Sequence, residues 1–194
     1  PRCRVSRVET GPDGMATGAH YFDADGKEHF QPAEMVILAA NGIGTPRLLL
    51  NSASAKHPNG LANSSDLVGR NLMLHPWPFV HGYAPHKVDG DRGPVVTIFS
   101  KQFYETDPDR DFVRGYMLQF SRVIGTASEA VLGTANVRVP WGDAHHAALR
   151  DRLHRRLSIG VACEDLPELH NRVTLDPVLK DADGIPAPRI DYSM

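Results

Sequence analysis

The residues whose types and spacing invite chemistry fall into four groups: ten histidines, an adjacent Glu164-Asp165 pair, a set of serines, and a glycine-rich turn between Ala39 and Ser52. The turn carries the strongest signal. It runs Ala39, Ala40, Asn41, Gly42, Ile43, Gly44 into Thr45, Pro46, Arg47 and a leucine run. Its glycines let the backbone approach a ligand closely, and the helix that follows offers N–H groups to an anion such as a pyrophosphate. The plainer alternative is a structural strand-to-helix connection. The turn alone favours that alternative, because it has neither a GxGxxG fingerprint nor a phosphate-binding lysine.

The other groups read as structural. His81 and His86 flank a proline-containing loop, and His145 and His146 are neighbours on a helix, where adjacent positions diverge. No HExxH or Cys/His ligand spacing occurs, so scattered surface histidines explain the count better than a metal site. His75, between Leu74 and Pro76, reads as a structural residue. Glu164 and Asp165 would point to opposite faces of a strand, which suits a salt-linked edge better than paired acid–base work. Ser52, Ser54, Ser64 and Ser65 lack a nucleophile-elbow pattern and fit loop and helix-end roles. Arg150, Arg152, Arg155 and Arg156 with Asp151 read as the solvated side of a helix, with docking of a partner subunit as the lesser alternative. Met117 and Gln119 suit a substrate cavity and ordinary sheet packing equally.

Several elements must position these groups. Arg4–Glu9, Gly18–Asp23 and Lys27–Gln31 form strand-like runs, the last two joined by an Asp25-Gly26 turn, and predict a small antiparallel ribbon. Met35–Ala40 is a continuous apolar run suited to a strand buried on both faces of a parallel sheet. Thr45 as N-cap and Pro46 at the first helical position then open a helix. His57 to Asp66 is rich in Pro, Asn, Gly and Ser and reads as an extended loop. Beyond Pro78, strands are expected at Val95–Phe99, Val113–Phe120 and Thr134–Val139. A helix follows from Asp143 to about Arg156, with Leu149, Leu153 and Leu157 on one face. Leu157–Cys163, Asn171–Asp176 and Arg189–Tyr192 are further strands. The fold class is therefore α/β (α+β): part of a Rossmann-like domain plus a mostly antiparallel-sheet domain, incomplete at both ends.

Composition narrows the functional classes. The chain has 194 residues, 21 Lys and Arg against 23 Asp and Glu, and a formal net charge of -2. That balance gives no electrostatic case for nucleic acid or an anionic membrane surface. No apolar run approaches the roughly 20 residues of a spanning helix. Strand-like residues at both ends suggest an internal fragment. Cys3 and Cys163, at opposite ends, are expected to be unpaired.

The ordered set of segments resembles the glucose–methanol–choline (GMC) FAD-dependent oxidoreductases. Ala39 to Ser52 is similar to the second signature of that family, with Asn41 and Gly42 standing where Gly and Ala are usual, and Ala53-Ser54 in place of a Gly-aliphatic pair. The stretch Leu67, Val68, Gly69, Arg70, Asn71, Leu72 to His75 resembles the family's Val-Gly-x-Asn-Leu-x-x-His segment. Glu164–Pro167 and Asn171–Asp176 resemble the segment where the substrate domain returns toward the flavin. The variants look most like the branch of the gluconate 2-dehydrogenase flavoprotein.

The resemblance implies a division into residues 1–55 of an FAD-binding domain, a connecting loop at 56–74 near the flavin, and a partial substrate domain at 75–194. It implies FAD as cofactor, with the backbone of Val5 at the adenine and Ala39, Ala40, Asn41 and Gly42 near the phosphates and ribose. Thr45 and Pro46 would open the adjoining helix, and Asn71 would begin the stretch passing the flavin. It implies oxidation of an alcohol, sugar or sugar-acid CH–OH group by hydride transfer to the flavin. A small-molecule alcohol or sugar is the implied substrate, an electron-accepting subunit or cytochrome an implied partner, and the bacterial periplasm a compatible setting. The family's N-terminal glycine fingerprint and its C-terminal active-site histidine find no match, so no catalytic residue is assigned in this chain. A noncatalytic β-rich binding module and a nicotinamide-dependent dehydrogenase remain the alternatives.

Overall fold

A computed structural model describes residues 2–89, 92–121, 127, 130 and 139–194. The expected strand Thr134–Val139 falls, except for its last residue, outside the described residues. The chain forms two units: Pro1–Met73 with Leu166–Met194, and Leu74–Asp165. This differs from the expected division. The segment after Asp165, expected in the second part, returns to the first, because its strands pack on the helix of that unit.

In the first unit, β1 (Arg4–Thr10), β2 (Ala16–Phe22) and β3 (Glu28–Pro32) make an antiparallel sheet in chain order. The β2–β3 turn forms as its Asp-Gly pair predicts: Gly26 has φ 76°, and Asp23 Oδ1 accepts the N–H groups of Asp25 and Lys27. Helix α1 spans Asn41–Asn51 and packs on β1 and on the antiparallel hairpin of β8 (Arg172–Lys180) and β9 (Pro186–Asp191). Ser52 joins two of these elements. Its buried hydroxyl donates to Leu48 O at 2.7 Å and accepts the Val8 N–H at 2.8 Å.

The expected buried strand at Met35–Ala40 does not form. No named strand pairs with it among the described residues, and Met35 and Ile37 stay 76% and 80% exposed. Val36, Leu38 and Ala40 are half-buried while their neighbours are exposed, so the run keeps the period of an extended chain. An apolar run becomes a two-faced buried strand only where neighbouring strands complete its hydrogen bonds and helices cover it.

The second unit is built on a four-stranded antiparallel sheet of order β4 (Phe79–Tyr83), β7 (Arg156–Cys163), β6 (Tyr116–Ser121), β5 (Val96–Ser100). Helix α2 (Ala144–Leu153) precedes β7. It ends before Arg156, earlier than its leucine spacing suggests, and Leu157 lies on the strand at 45% exposure. Along β7, Arg156, Ser158, Gly160 and Ala162 are buried on one face. Gly160 is dictated by close approach: a Cβ there would lie 2.6 Å from the Trp77 indole nitrogen and 2.9 Å from the Phe79 ring. The opposite face carries an apolar row, Val80, Ile159, Phe120 and Ile98, placed by strand register.

Expected and observed strands differ by a few residues at β6. Val113 is 67% exposed and outside the strand, where Arg114 takes φ 72° and breaks the extended run.

Candidate functional site

The site is built from one stripe of α1 and one loop. Gly42, Thr45, Pro46 and Leu49 recur at helical spacing and face the segment Val68–Met73, enclosing a cavity of about 310 Å3. The loop is held by β8 and the residue before it: Val173 N–H donates to Gly69 O at 2.7 Å, and Leu72 N–H donates to Asn171 O at 2.9 Å. Gly69 has φ 84°, and a Cβ there would sit 2.2 Å from Val173 O, so only glycine permits this approach. Asn71 also takes a left-handed conformation, φ 56°, which asparagine tolerates better than most residues.

Buried amides lock the outer parts of the loop. Asn63 accepts the Val68 N–H and donates to Asn59 O. Asn171, 1% exposed, accepts the Ser193 N–H at 2.8 Å and donates to Ser193 O at 3.0 Å, tying β8 to the segment beyond β9.

The helix start differs from expectation in a way that matters chemically. α1 begins at Asn41, so Thr45 is not its N-cap and Pro46 lies inside it. Asn41, at φ 61°, accepts the N–H groups of Ile43 and Gly44 on its own Oδ1 at 2.9 and 3.0 Å. Thr45 instead accepts the Ala40 N–H on Oγ1 at 3.2 Å. Two amides expected to be open to an anion are therefore occupied by a side chain. Pro46 cannot donate to Gly42 O, which removes one helical hydrogen bond beside the cavity.

Arg47 fixes the other side of α1. It donates through Nε to Pro186 O at 2.7 Å and through Nη2 to Asp181 Oδ2 at 2.8 Å and Ile185 O at 3.1 Å. Arg4 donates to the same carboxylate oxygen at 2.9 Å and lies 3.1 Å from Asp183. Burial opposes ionisation of Asp181, yet Arg47, Arg4 and the Ile185 and Asp183 amides outweigh it and hold the carboxyl at about 2.

Of the residues expected at a cofactor, the cavity unites Gly42, Thr45, Pro46 and Asn71. Val5, Ala39, Ala40 and Asn41 do not line it; Val5 sits in β1 opposite Tyr21. The cavity adds Leu49, Val68, Gly69, Arg70, Leu72 and Met73. The signal for all but Leu49, which belongs to the leucine run of α1, was the Leu67–His75 stretch itself, whose glycine and asparagine mark a loop with left-handed turns.

The remaining candidates have ordinary partners. His81, expected at the surface, is half-buried in β4, where its Nδ1 accepts from Ser158 Oγ at 2.7 Å and from Arg156 Nη2 at 3.3 Å. Because an arginine can only donate, the neutral ring carries its proton on Nε2. Arg156 is a buried strand residue and not part of a wet helix face. Glu164 pairs with Arg114 at 3.5 Å, and Asp165 accepts the Leu74 N–H at 2.8 Å. Both cysteines are free. Among the described residues, no group of three or more His, Cys, Asp or Glu side chains is arranged to hold a metal, and no helix is long and apolar enough to cross a membrane.

Residues 1–77 match the GMC oxidoreductase family. The chain is 40% identical to the 2-methyl-1,2-propanediol dehydrogenase of Mycolicibacterium austroafricanum, over 97% of this chain and 35% of that protein. It is 33% identical to the fructose dehydrogenase large subunit of Gluconobacter japonicus, over 100% of this chain and 35% of that protein. It is 28% identical to the gluconate 2-dehydrogenase flavoprotein of Pantoea cypripedii, over 97% of this chain and 31% of that protein. A formate oxidase variant of Aspergillus oryzae RIB40 shares the fold with a TM-score of 0.60 at 19% identity, covering 93% of this chain and 38% of that one. The chain thus spans about a third of the length of the curated relatives it matches. The two signature-like stretches that meet across the cavity both lie within residues 1–77, the part of the chain that matches the GMC oxidoreductases.

Proposed function

We propose that this chain contributes the cofactor-facing helix and loop of an FAD-dependent oxidoreductase that oxidises an alcohol or sugar CH–OH group. The observation that carries the reading is the near-complete alignment of the chain with dehydrogenases named for a diol and for fructose. The cavity fits part of a dinucleotide. Its lining combines apolar side chains, Leu49, Val68, Leu72 and Met73, with backbone at Gly42 and Gly69, and a Cβ on Gly42 would meet nothing within 4 Å. When bound, FAD supplies the two-electron acceptor for the substrate hydride.

The residues of this chain bind and orient. Gly42 lets a ligand approach the helix backbone, while Thr45, Pro46 and Asn71 shape the cavity wall. Gly69 and Asn71 set the course of the loop, and its pairing with β8 keeps that course fixed before a ligand arrives. Val5, Ala39 and Ala40 form a separate contact region in this proposal, and Asn41 serves the helix rather than the ligand. No catalytic acid or base is assigned to the chain. The proposed partners are a small alcohol or sugar and an electron-accepting subunit or cytochrome.

The test is expression of the complete reading frame, followed by an absorption spectrum and assays with diols, fructose and gluconate against an artificial electron acceptor. A flavin spectrum that bleaches on addition of one of these substrates is the expected result. A colourless product, or a nicotinamide-dependent turnover without flavin, would overturn the reading.

A further inference from the structure

A second concave site lies in the second unit and is lined by none of the residues assigned above to the cofactor. Its floor is one stripe of α2 and its C-cap, where Ala147, Arg150, Asp151 and the capping His154 recur at helical spacing. Its opposite wall is the segment Pro85, His86 and Lys87. That segment is pinned at both ends: Ala84 N–H donates to Arg155 O at 2.7 Å and Val88 N–H donates to His154 O at 2.8 Å. Three residues are thereby held as a bulge over the last turn of the helix. The small side chain of Ala147 leaves the hollow open, and the cavity measures about 740 Å3.

The charges lining it are mostly of one sign. Lys87, Arg150 and Arg155 face Asp151, and two histidines, His86 and His154, stand among them. Asp151 is already engaged by Arg155, while Asp89 lies 3.7 Å from His154. Lys87 and Arg150 are exposed side chains on opposite walls. Such a local excess of cations is notable in a chain whose formal net charge is -2. Like charges gathered on two facing walls repel one another, and an anion between them relieves that repulsion.

We propose that this groove binds a small organic anion carrying a phosphate or carboxylate group, with Lys87 and Arg150 as its principal contacts. The concave shape and the fixed 85–87 wall favour a small molecule over the flat acidic face of a protein. An arginine matches both anionic groups through paired donors, and a lysine adds a compact charge.

Calorimetric titration of the full chain with pyrophosphate, with citrate and with an acidic polypeptide tests the proposal. Backbone amide NMR run alongside locates any binding. One or both small anions should bind at low salt, shift the amides of residues 85–88 and 147–155, and weaken as sodium chloride is raised. The paired substitution Lys87→Ala and Arg150→Ala should reduce affinity by roughly tenfold or more. Ala147→Trp, which fills the hollow and keeps every charge, should reduce it comparably. Unchanged affinity in both variants, shifts confined to α1, or binding of the polypeptide alone would each overturn the proposal. Which small anion binds more tightly distinguishes a phosphate-bearing from a carboxylate-bearing ligand. None of these outcomes depends on flavin, so the reading of the first unit stands or falls separately.

Discussion

Single residues decide how α1 is held, and two of them can be tested directly. The Asp181 carboxyl is depressed to about 2 in the folded chain, below its ordinary value near 3.8. A depressed acid contributes stability that is complete above the unfolded value and is lost as pH falls toward the folded one. Stability of the first unit should therefore fall between about pH 4 and pH 2, by on the order of 1–2 kcal/mol once solvent screening of the half-exposed Arg4 is allowed for. Asp181→Asn should remove most of that slope, as read by urea unfolding at a series of pH values; an unchanged acid response would show the clamp to be incidental. Asn41 offers the second test. Asn41→Ala loses the side-chain cap and places alanine at φ 61°, for a cost of about 1–2 kcal/mol, whereas Asn41→Gly loses the cap without the strain and should cost less. Equal losses in thermal unfolding would contradict this assignment. Sequence reading placed the right residues at this turn but gave Thr45 the role of Asn41. A left-handed asparagine capping its own helix looks, in sequence, like any other asparagine before a glycine.

At the scale of elements, local rules were legible and tertiary ones were not. The β2–β3 turn followed from Asp-Gly, whose geometry is set within four residues. α2 ended early although Leu149, Leu153 and Leu157 keep helical spacing, because Leu157 is paired across from Gly82 in a strand. The Met35–Ala40 run shows the same limit from the other side: its composition suits a buried strand, but burial depends on elements distant in sequence. The packing of β7 makes a sharper case. Trp77 and Phe79, 5.0 Å apart, lie over Gly160, and any larger residue must displace them. Gly160→Val should cost on the order of 1–3 kcal/mol by overpacking. Since Trp141 is 93% exposed, a change in the protein's tryptophan emission would report Trp77 leaving its place. Unaltered emission and stability would mean the rings do not rest on that strand.

For the molecule as a whole, the two units differ in how far their chemistry is self-contained. The first brings the resemblance-derived positions Gly42, Thr45, Pro46 and Asn71 to one cavity, though they come from segments some 25 residues apart in sequence. Backbone pairing with β8, a strand a hundred residues further on, is what fixes that meeting. No local pattern encodes it, which is why the ordered family segments, and not periodicity, picked out positions that line one cavity. Yet a cavity of about 310 Å3 has room for only a portion of a dinucleotide, and Asn41 already fills two of the amides at the start of α1 that a phosphate could use. The chain also lacks a GxGxxG turn, the element that elsewhere lets backbone amides surround a pyrophosphate. Contact energy from one wall must offset the full loss of ligand freedom on association. The 194-residue chain alone should therefore bind FAD more weakly than micromolar in a fluorescence titration, with Asn41→Gly binding no worse. Micromolar binding by the unaltered chain would mean that the helix, loop and β8 pairing already make a complete flavin nucleotide site.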